Sequence, residues 1–401
     1  MASRLLLRRI SSIVRGSSSS QRRISSDSTI QDSPVLSWNE WDPLEEVVVG
    51  RAEGQRIPFL SPDLKAKTSP EGWKWLQEEG GKPHSPEVVK KASAQIEELC
   101  NVLRGEGVKV HRPEAMRWDE MGSFKTPYFE EGGIMNACPR DGFMVVGDEI
   151  IEAPVAWRSR VFENYAYKNL FTDLFKRGAR WTAAPRPAMS DDLYVKNFPF
   201  EDLEARAVMA ARGNFVLTEA EPCFDAADAM RFGRDIFMFL SHATNRSGVD
   251  WLRRHLAPRG INVHSMVHEG LHNCHCDATL IPLRPGLLVT CPTRPAFLLN
   301  DEPTEGWEFF TKRGWEVVEV PEPVVLKDTH YVSSWVHMNV LSIDEERVVI
   351  QKGEEPLKRL FIKLGMKPIE VDIQQSNQLG GAFHCWTLDI KRRGTLQNYF
   401  S

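Results

Sequence analysis

Cys385 lies in a segment that could present a reactive thiol. Gly380 and Gly381 precede it and large residues alternate around it, a pattern typical of a turn that leads into a strand. We expect the neighbouring His384 to point away from the thiol, because successive side chains of a strand face opposite sides. A base would then have to come from elsewhere in the chain. Without further context, a lone cysteine is more often a small buried hydrophobic residue.

A second segment, residues 272–279, places histidine, cysteine and aspartate side by side. If residues 274–279 form a strand, His275, Asp277 and Thr279 share one face and the cysteines share the other. A base beside a carboxylate suits acid–base chemistry on a cationic substrate. A zinc site usually needs two ligand pairs separated by a loop, so this compact cluster argues against a bound metal.

Two more carboxylates occur in segments that suit a site. Asp225 precedes small residues, and its side chain could hold a ring nitrogen of a histidine or could simply cap a helix. Asp141 lies in a turn over residues 138–142, where it could be structural or face a pocket. The residues alone leave both alternatives open.

The elements that must position these residues repeat along the chain. An amphipathic helix, a glycine and a short β-rich strand recur in this order near Gly107, Gly178, Gly260, Gly314 and Gly365. Strand-like segments that leave a turn lie between the repeats, at residues 47–50, 144–147, 234–237, 286–289 and 347–350. Because one unit alone would leave an apolar face exposed, five units indicate a closed ring of blades. The alternative is an ordinary α+β domain whose helices end in glycine.

The first part of the chain differs in composition from the rest. Residues 1–26 are rich in arginine and serine and contain no acidic residue, which is typical of a mitochondrial presequence. The alternative is a disordered basic tail. We expect residues 1–35 to be this leader and residues 36–401 to form a single catalytic domain. The whole chain carries a net charge of −5 and the remainder is more acidic still, which argues against nucleic-acid binding.

The segments described above together resemble the glycine amidinotransferases, which belong to the amidinotransferase family of the pentein superfamily. The matching strings extend from about residue 39 to the C-terminus, at residues 39–47, 139–141, 150–160, 221–228, 251–258, 277–279, 383–387 and 392–397. The resemblance implies an α/β fold, a five-bladed α/β propeller of ββαβ units with pseudo-five-fold symmetry. It also implies a mitochondrial location and a homodimer.

The family pattern implies a role for each matching residue. Cys385 matches the nucleophile, His275 the general acid/base and Asp225 the carboxylate that partners this histidine. Asp141 and Asp277 match carboxylates that bind the guanidinium group of the substrate.

Three further residues match the family's contacts to the rest of the substrate. Arg294 matches the residue that binds the substrate carboxylate, and Ser333 and Ser334 match a pair of substrate-binding serines. The chain departs from the family here, because Ser334 abuts Trp335 directly where relatives have an intervening lysine. Residues 269–274 also replace the family's loop on the acceptor side.

The activity that the resemblance implies is transfer of the amidino group from arginine to an amine. Glycine is the expected acceptor, with guanidinoacetate and ornithine as products and an amidino-Cys385 intermediate, and with no cofactor or metal. One alternative is a guanidine hydrolase like the arginine deiminases, in which water resolves the intermediate; another is an amidinotransferase with a different acceptor. A non-catalytic repeat scaffold and a zinc-dependent hydrolase are the remaining alternatives.

Overall fold

Short strands dominate the computed structural model, which describes residues 30–271, 274–330 and 332–400. The strands are β1 (Leu44–Val49), β2 (Lys109–His111), β3 (Phe124–Lys125), β4 (Glu130–Glu131), β5 (Phe143–Val146), β6 (Glu149–Glu152), β7 (Arg180–Ala183), β8 (Ala229–Phe232), β9 (Asp235–Phe239), β10 (Asn262–His268), β11 (Leu280–Arg284), β12 (Leu287–Thr290), β13 (Ala296–Leu299), β14 (Glu302–Pro303), β15 (Glu316–Glu319), β16 (Leu341–Ser342), β17 (Arg347–Gln351), β18 (Lys367–Val371) and β19 (Thr387–Arg392).

Helices connect these strands. The α-helices are α1 (Pro62–Lys67), α2 (Pro70–Glu79), α3 (Pro86–Gly105), α4 (Trp118–Met121), α5 (Pro139–Gly142), α6 (Lys168–Lys176), α7 (Leu203–Ala210), α8 (Arg246–Leu256), α9 (Glu308–Thr311) and α10 (Glu355–Lys363). Short 3₁₀ helices cover Arg158–Arg160, Glu163–Tyr167, Asp191–Leu193, Ala226–Asp228, Ala257–Arg259, Cys276–Ala278, Ser334–Met338 and Ser376–Leu379. None of the helices in the described part of the chain has the length and apolar character needed to cross a bilayer.

One pairing pattern recurs in five sheets of the described residues. A first strand pairs antiparallel with a central strand, and a third strand pairs parallel with the same central strand after a crossover that contains a helix. The triplets are β5–β6–β7, β8–β9–β10, β11–β12–β15, β16–β17–β18 and β19–β1–β2. The last triplet combines both ends of the domain, because β19 pairs with β1. The fold is therefore mixed α/β.

Helix α3 shows how the sequence produces one of these crossovers. The hydroxyl of Ser85 accepts a hydrogen bond from the backbone N–H of Val88, and Pro86 occupies the first helical position, where its missing N–H costs nothing. The apolar positions of the helix are buried at Ala92, Ile96, Leu99 and Leu103. Each buried leucine or isoleucine side chain contributes about 1.5–3 kcal/mol. Gly107 then adopts φ +88° and turns the chain into β2.

The predicted sequence of helix, glycine and strand is confirmed at all five positions. The glycines adopt positive φ and each is followed within two residues by the third strand of a triplet, at Gly107, Gly178, Gly260, Gly314 and Gly365. The strand-like segments predicted between them are also strands, in β1, β5, β9, β12 and β17. Residues Ser33–Ser401 form one compact unit that contains all of these sheets. Most of the predicted leader, residues 1–29, lies outside the described residues.

Candidate active site

Five side chains occupy equivalent places in the five strand triplets. Each lies two to four residues before the first strand of its triplet: Cys385, Asp141, Asp225, Asp277 and Asn339. All five are buried, with relative exposures between 0% and 4%. The repeat therefore brings one polar or reactive side chain from every unit toward a shared site.

Cys385 lies in a turn that precedes β19, so its predicted place on the strand itself is wrong. Gly381, at φ +73°, makes room for the thiol: a Cβ atom there would lie 2.8 Å from the Sγ of Cys385 and 2.5 Å from its Cβ. Any other residue at this position would displace the thiol. Gly381 thus acts through close packing against the thiol.

Asn339 fixes the turn that carries the thiol. Its Oδ1 accepts hydrogen bonds from the backbone N–H groups of His384 (2.9 Å) and Cys385 (3.1 Å). Its Nδ2 donates to the Sγ of Cys385 at 3.2 Å. An N–H directed at sulfur stabilises the thiolate more than the thiol.

Asp277 contacts the thiol from another unit. Cys385 Sγ donates to its Oδ2 at 3.2 Å, and Nδ1 of His384 lies 2.9 Å from the same oxygen. The Nε2 of His384 lies 3.3 Å from a carboxylate oxygen of Glu40. The expectation that His384 points away from the site is therefore wrong, because a turn does not impose the alternation of a strand. His384 bridges two buried carboxylates and orients Asp277.

His275 and Asp225 form a second pair. Nε2 of His275 lies 2.9 Å from Oδ2 of Asp225, and the imidazole stacks on Trp157 at a centroid distance of 6.0 Å. Asp225 stands at the N-cap of a 3₁₀ helix but makes no capping bond with its side chain. The carboxylate of Asp225 thus hydrogen-bonds to His275 and does not cap the helix.

The segment around His275 is not the strand that alternation predicted. Residues 276–278 form a 3₁₀ helix, and His275 adopts φ +63° and ψ 113°. Positive φ is unfavourable for a residue with a Cβ atom and costs on the order of 1 kcal/mol or more, so surrounding contacts must hold it. The contact with Asp225 is one of them.

Asp141 faces the imidazole from α5. Its Oδ1 lies 3.8 Å from Nδ1 of His275, and its Oδ2 pairs with the guanidinium of Arg160. Arg160 also pairs with Glu163 at 2.9 Å and donates to the carbonyl of Cys138. This buried arginine fixes Asp141 in place through Oδ2 and leaves Oδ1 of Asp141 outside the ion pair.

These groups line a cavity of about 130 Å³. Its wall contains the predicted residues Cys385, His275, Asp141, Asp277, Arg294 and Ser333, and also Lys67, Trp157, Arg160 and Cys274. Within the described residues, the Oδ1 atoms of the three aspartates at positions 141, 225 and 277 are buried and have no hydrogen-bond partner. Such oxygens are costly to bury unless a cation or a donor reaches them.

Three further residues predicted to bind substrate differ in position. Arg294 lies between β12 and β13, donates to the carbonyl of Ala278 at 3.2 Å, and forms no ion pair within the described ranges. Ser333 lines the cavity and its hydroxyl accepts from the N–H of Trp335. Ser334 is absent from the lining, and its N–H donates to Asp328. The substrate contacts of all three residues stay predictions.

Burial and the neighbouring charges together raise the pKa of both the thiol and the imidazole. Burial, with the negative charge of Asp277 added, raises the pKa of Cys385 to about 12. Burial opposes protonation of His275, but the charge of Asp141 and the hydrogen bond to Asp225 outweigh it and raise the pKa of this imidazole well above its ordinary value. Without a bound cation, the site therefore holds a neutral thiol and a charged imidazole near neutral pH.

Two overlapping groups could in principle ligate a metal ion. Ligand atoms of Asp141, His275 and Cys385 lie within 4.8 Å of one another, as do those of Asp225, Cys274 and His275. Both groups depend on His275, whose Nε2 is already held by Asp225. The expectation of no metal stays a prediction.

Sequence reasoning missed Asn339 and the supporting residues Arg160 and Glu40. Asn339 carried a signal that could have found it, since it occupies the place before a first strand where every other unit has a predicted site residue. Arg160 and Glu40 could not be assigned in this way, because neither precedes a first strand, and Glu40 acts through contacts that are distant in sequence.

Known proteins resemble this chain over almost its whole length. The mitochondrial glycine amidinotransferase of Xenopus tropicalis is 50% identical over 94% of this chain and 87% of the relative. The L-arginine:L-lysine amidinotransferase of Pseudomonas savastanoi pv. phaseolicola is 39% identical over 92% of this chain and 98% of the relative. No family model matches the chain.

A solved structure shows the same relationship. An amidinotransferase of Microseira wollei from the saxitoxin biosynthetic pathway superposes with a TM-score of 0.80 at 40% identity, and the match covers 92% of this chain and all of that one. Similarity at this level in both sequence and structure reaches well beyond a shared fold. The chain belongs to the amidinotransferase family of enzymes.

Proposed function

We propose that this enzyme transfers the amidino group of arginine to glycine and yields ornithine and guanidinoacetate. The observation that supports the proposal is the meeting of a thiol, an imidazole and a carboxylate in one cavity, with atoms of Cys385, His275 and Asp141 within 4.8 Å of one another. A nucleophile, an acid and an anion at this spacing suit attack on a cationic carbon.

The guanidinium of arginine fits between Asp141 and Asp277. Both carboxylates keep one oxygen without a hydrogen-bond partner in the described part of the chain. A guanidinium is planar and always charged, so it can donate to both and be held in one plane. Each charge-assisted hydrogen bond contributes about 1.5–3 kcal/mol. The α-carboxylate of arginine is then left for Arg294 and Ser333, which line the same cavity.

Binding of this cation converts the thiol to the nucleophile. The negative charge of Asp277 helps to hold the proton on Cys385, and a guanidinium beside both groups would oppose that effect. The proton leaves to solvent, and the N–H of Asn339 is directed at the resulting thiolate. Activation is thus coupled to the arrival of the substrate.

The first half-reaction has two steps, and charge is balanced in each of them. The thiolate forms an S–C bond with the guanidinium carbon and gives a neutral tetrahedral adduct. Protonated His275 gives its proton to the substituted nitrogen, the C–N bond breaks, and ornithine leaves as a free amine. A cationic amidino group remains on Cys385, and His275 is neutral.

The second half-reaction runs in reverse with a different amine. The acceptor enters as a free amine and its nitrogen bonds to the amidino carbon. His275 takes one proton from that nitrogen, the S–C bond breaks, and the sulfur departs as thiolate. The product carries a guanidinium and His275 is again protonated; Cys385 takes up a proton from solvent when the product leaves and becomes the neutral thiol again. This sequence predicts ping-pong kinetics.

The acceptor is inferred from relatives. Four curated vertebrate relatives, 47–50% identical to this chain, are named for glycine, whereas the bacterial relative at 39% is named for lysine. The higher identity supports glycine. The departures at residues 269–274 make a direct test of the acceptor necessary.

Labelled arginine provides that test. With glycine present, we expect ornithine and guanidinoacetate to form in equal amounts over many turnovers; without an amine, ornithine should stop at one equivalent per enzyme. Continuous release of citrulline and ammonia without any amine would overturn the proposal and indicate a guanidine hydrolase instead.

We also propose that the five strand triplets close into a pseudo-five-fold ring. The pairing of β19 with β1 and the equivalent places of the five site residues support this arrangement. A mitochondrial location is supported by the names of the vertebrate relatives and by the composition of residues 1–26. The homodimer stays a prediction.

A further inference from the structure

Lys67 is a positive charge in the cavity that the reaction described above does not use. The residue ends α1, is half-buried, and lines the cavity together with Cys385 and His275. Its Nζ lies 3.7 Å from the ring centroid of Trp157. Within the described residues it forms no ion pair of 4 Å or less and no side-chain hydrogen bond, so its donors are available to a ligand.

The other two arginine or lysine side chains of the cavity have different surroundings. The guanidinium of Arg160 pairs with Asp141 and Glu163 and donates to a backbone carbonyl. Arg294 forms no ion pair within the described residues, but under the proposed function it binds the carboxylate of the donor arginine. Among the described residues that line the cavity, Lys67 is therefore the lysine or arginine that still lacks an assigned partner when arginine is bound.

Lys67 and His275 both pack against Trp157. One ring system of Trp157 contacts both the Lys67 ammonium and the imidazole of His275, which it stacks against with an interplanar angle of 22°. His275 is the group that would protonate the departing amine and deprotonate the entering one. Because Lys67 and His275 line the same small cavity, we expect an anion next to the amine of the entering molecule to be within reach of Lys67.

The local fold holds the backbone at Lys67 in place. Its neighbours Leu64 and Ala66 are buried, and the hydroxyl of Thr68 donates to the carbonyl of Leu64 at 2.6 Å. The indole N–H of Trp73 donates to the carbonyls at positions 65 and 68. A pre-organised cation loses little conformational entropy when it binds an anion.

We propose that Lys67 binds the carboxylate of the acceptor amino acid and makes the enzyme selective for amines that carry a nearby carboxylate. The inference rests on the proposed transfer reaction. In arginine the whole aliphatic chain separates the guanidinium from the carboxylate, whereas in glycine a single methylene separates amine and carboxylate. With its nitrogen at the amidino carbon, glycine cannot extend as far as arginine does, so a cation near His275 serves it better than the one that holds the donor's carboxylate.

Glycine and methylamine form a matched pair of acceptors, because they differ only in the carboxylate. We expect Lys67→Met to lower kcat/KM for glycine about 10- to 100-fold, mainly through KM, as loss of a charge-assisted hydrogen bond predicts. The value for methylamine should change less than about twofold, and ornithine release from arginine alone should stay unchanged. Lys65→Met is the matched control: Lys65 lies on the same helix and over the rings of Trp73 and Phe200, outside the cavity lining.

Each other outcome contradicts the inference. Equal losses for glycine and methylamine would show a general effect of Lys67 on the fold or on the reaction, and an unchanged glycine KM would show that the carboxylate binds elsewhere. A wild-type enzyme that uses both amines equally well would show that no such selectivity exists. Failure of the proposed function is distinguishable, because the wild-type enzyme would then release no ornithine with any amine.

Discussion

The Sγ of Cys385 donates to Oδ2 of Asp277 across 3.2 Å. Burial and the adjacent carboxylate raise the pKa of Cys385 to about 12, which favours the protonated thiol. Under the proposed function, the same carboxylate binds the guanidinium of arginine, whose positive charge opposes this effect. Asp277 would then both hold the thiol protonated and bind the group that activates it.

Asp277→Asn should separate these two roles. Removing the charge lowers the pKa of Cys385, so we expect alkylation of this residue by iodoacetamide at pH 8 to become about tenfold faster in the substrate-free enzyme. Turnover should nevertheless fall, because one guanidinium ligand is weakened. Peptide mass spectrometry over time measures the alkylation. An alkylation rate equal to or below that of the wild type would contradict the account of the thiol.

Asn339→Asp should have the opposite effect on the thiol. The new carboxylate can still accept from the two backbone N–H groups of the turn, but it replaces an N–H donor to sulfur with a negative charge. We expect slower alkylation of Cys385 and turnover at least about tenfold lower. The melting temperature serves as the control for the fold. Faster alkylation in this variant would rule out a role of Asn339 in stabilising the thiolate.

Asp225→Asn tests the pair that acts on the leaving amine. Loss of the carboxylate lowers the pKa of His275, so a smaller fraction of the imidazole is protonated as the pH rises. We expect kcat about 100-fold lower, an alkaline limb of the kcat profile displaced to lower pH, and a KM for arginine that changes little. Steady-state kinetics from pH 6 to 10 provide the profile. A variant with an unchanged alkaline limb would remove Asp225 from this role.

Asp63→Asn should change stability in a pH-dependent manner. Burial raises the pKa of Asp63 in α1 to about 6 from an ordinary value of 3.8, opposed by Ser61 and the charge of Lys67. The folded state thus favours the protonated acid, and this contribution is lost as the pH rises through about 6. The variant should be more stable than the wild type at pH 8, on the order of 2 kcal/mol, and nearly equal at pH 3.5. Urea unfolding at both values measures it; equal differences at the two values would contradict the shift.

Much of the fold was predictable because its signals are local. A capped amphipathic helix, a glycine that can adopt positive φ and an apolar strand are each encoded within a few residues, as Ser85, Gly107 and β2 illustrate. Pairing between distant strands leaves no such local trace. β19 and β1 pair although almost the whole chain separates them in sequence, and only the repeat could indicate this pairing.

The geometry of the site was harder to predict from the sequence, because several of its residues lie in turns and not in strands. Alternation along a strand was a reasonable rule for residues 274–279 and for Cys385, but the chain forms a 3₁₀ helix in one case and a turn in the other. The rule therefore misplaced His384, which shares an oxygen of Asp277 with the thiol. Resemblance to a family supplied the residue identities that periodicity could not.

Intact mass spectrometry of the enzyme mixed with arginine alone is the sharpest test of transfer through Cys385. We expect a cationic amidino adduct on Cys385, one equivalent of released ornithine, and loss of the adduct when glycine is added. Cys385→Ala should bind arginine but form neither adduct nor ornithine. A fully active alanine variant, or turnover by the wild type with no adduct at any time, would contradict transfer through this thiol.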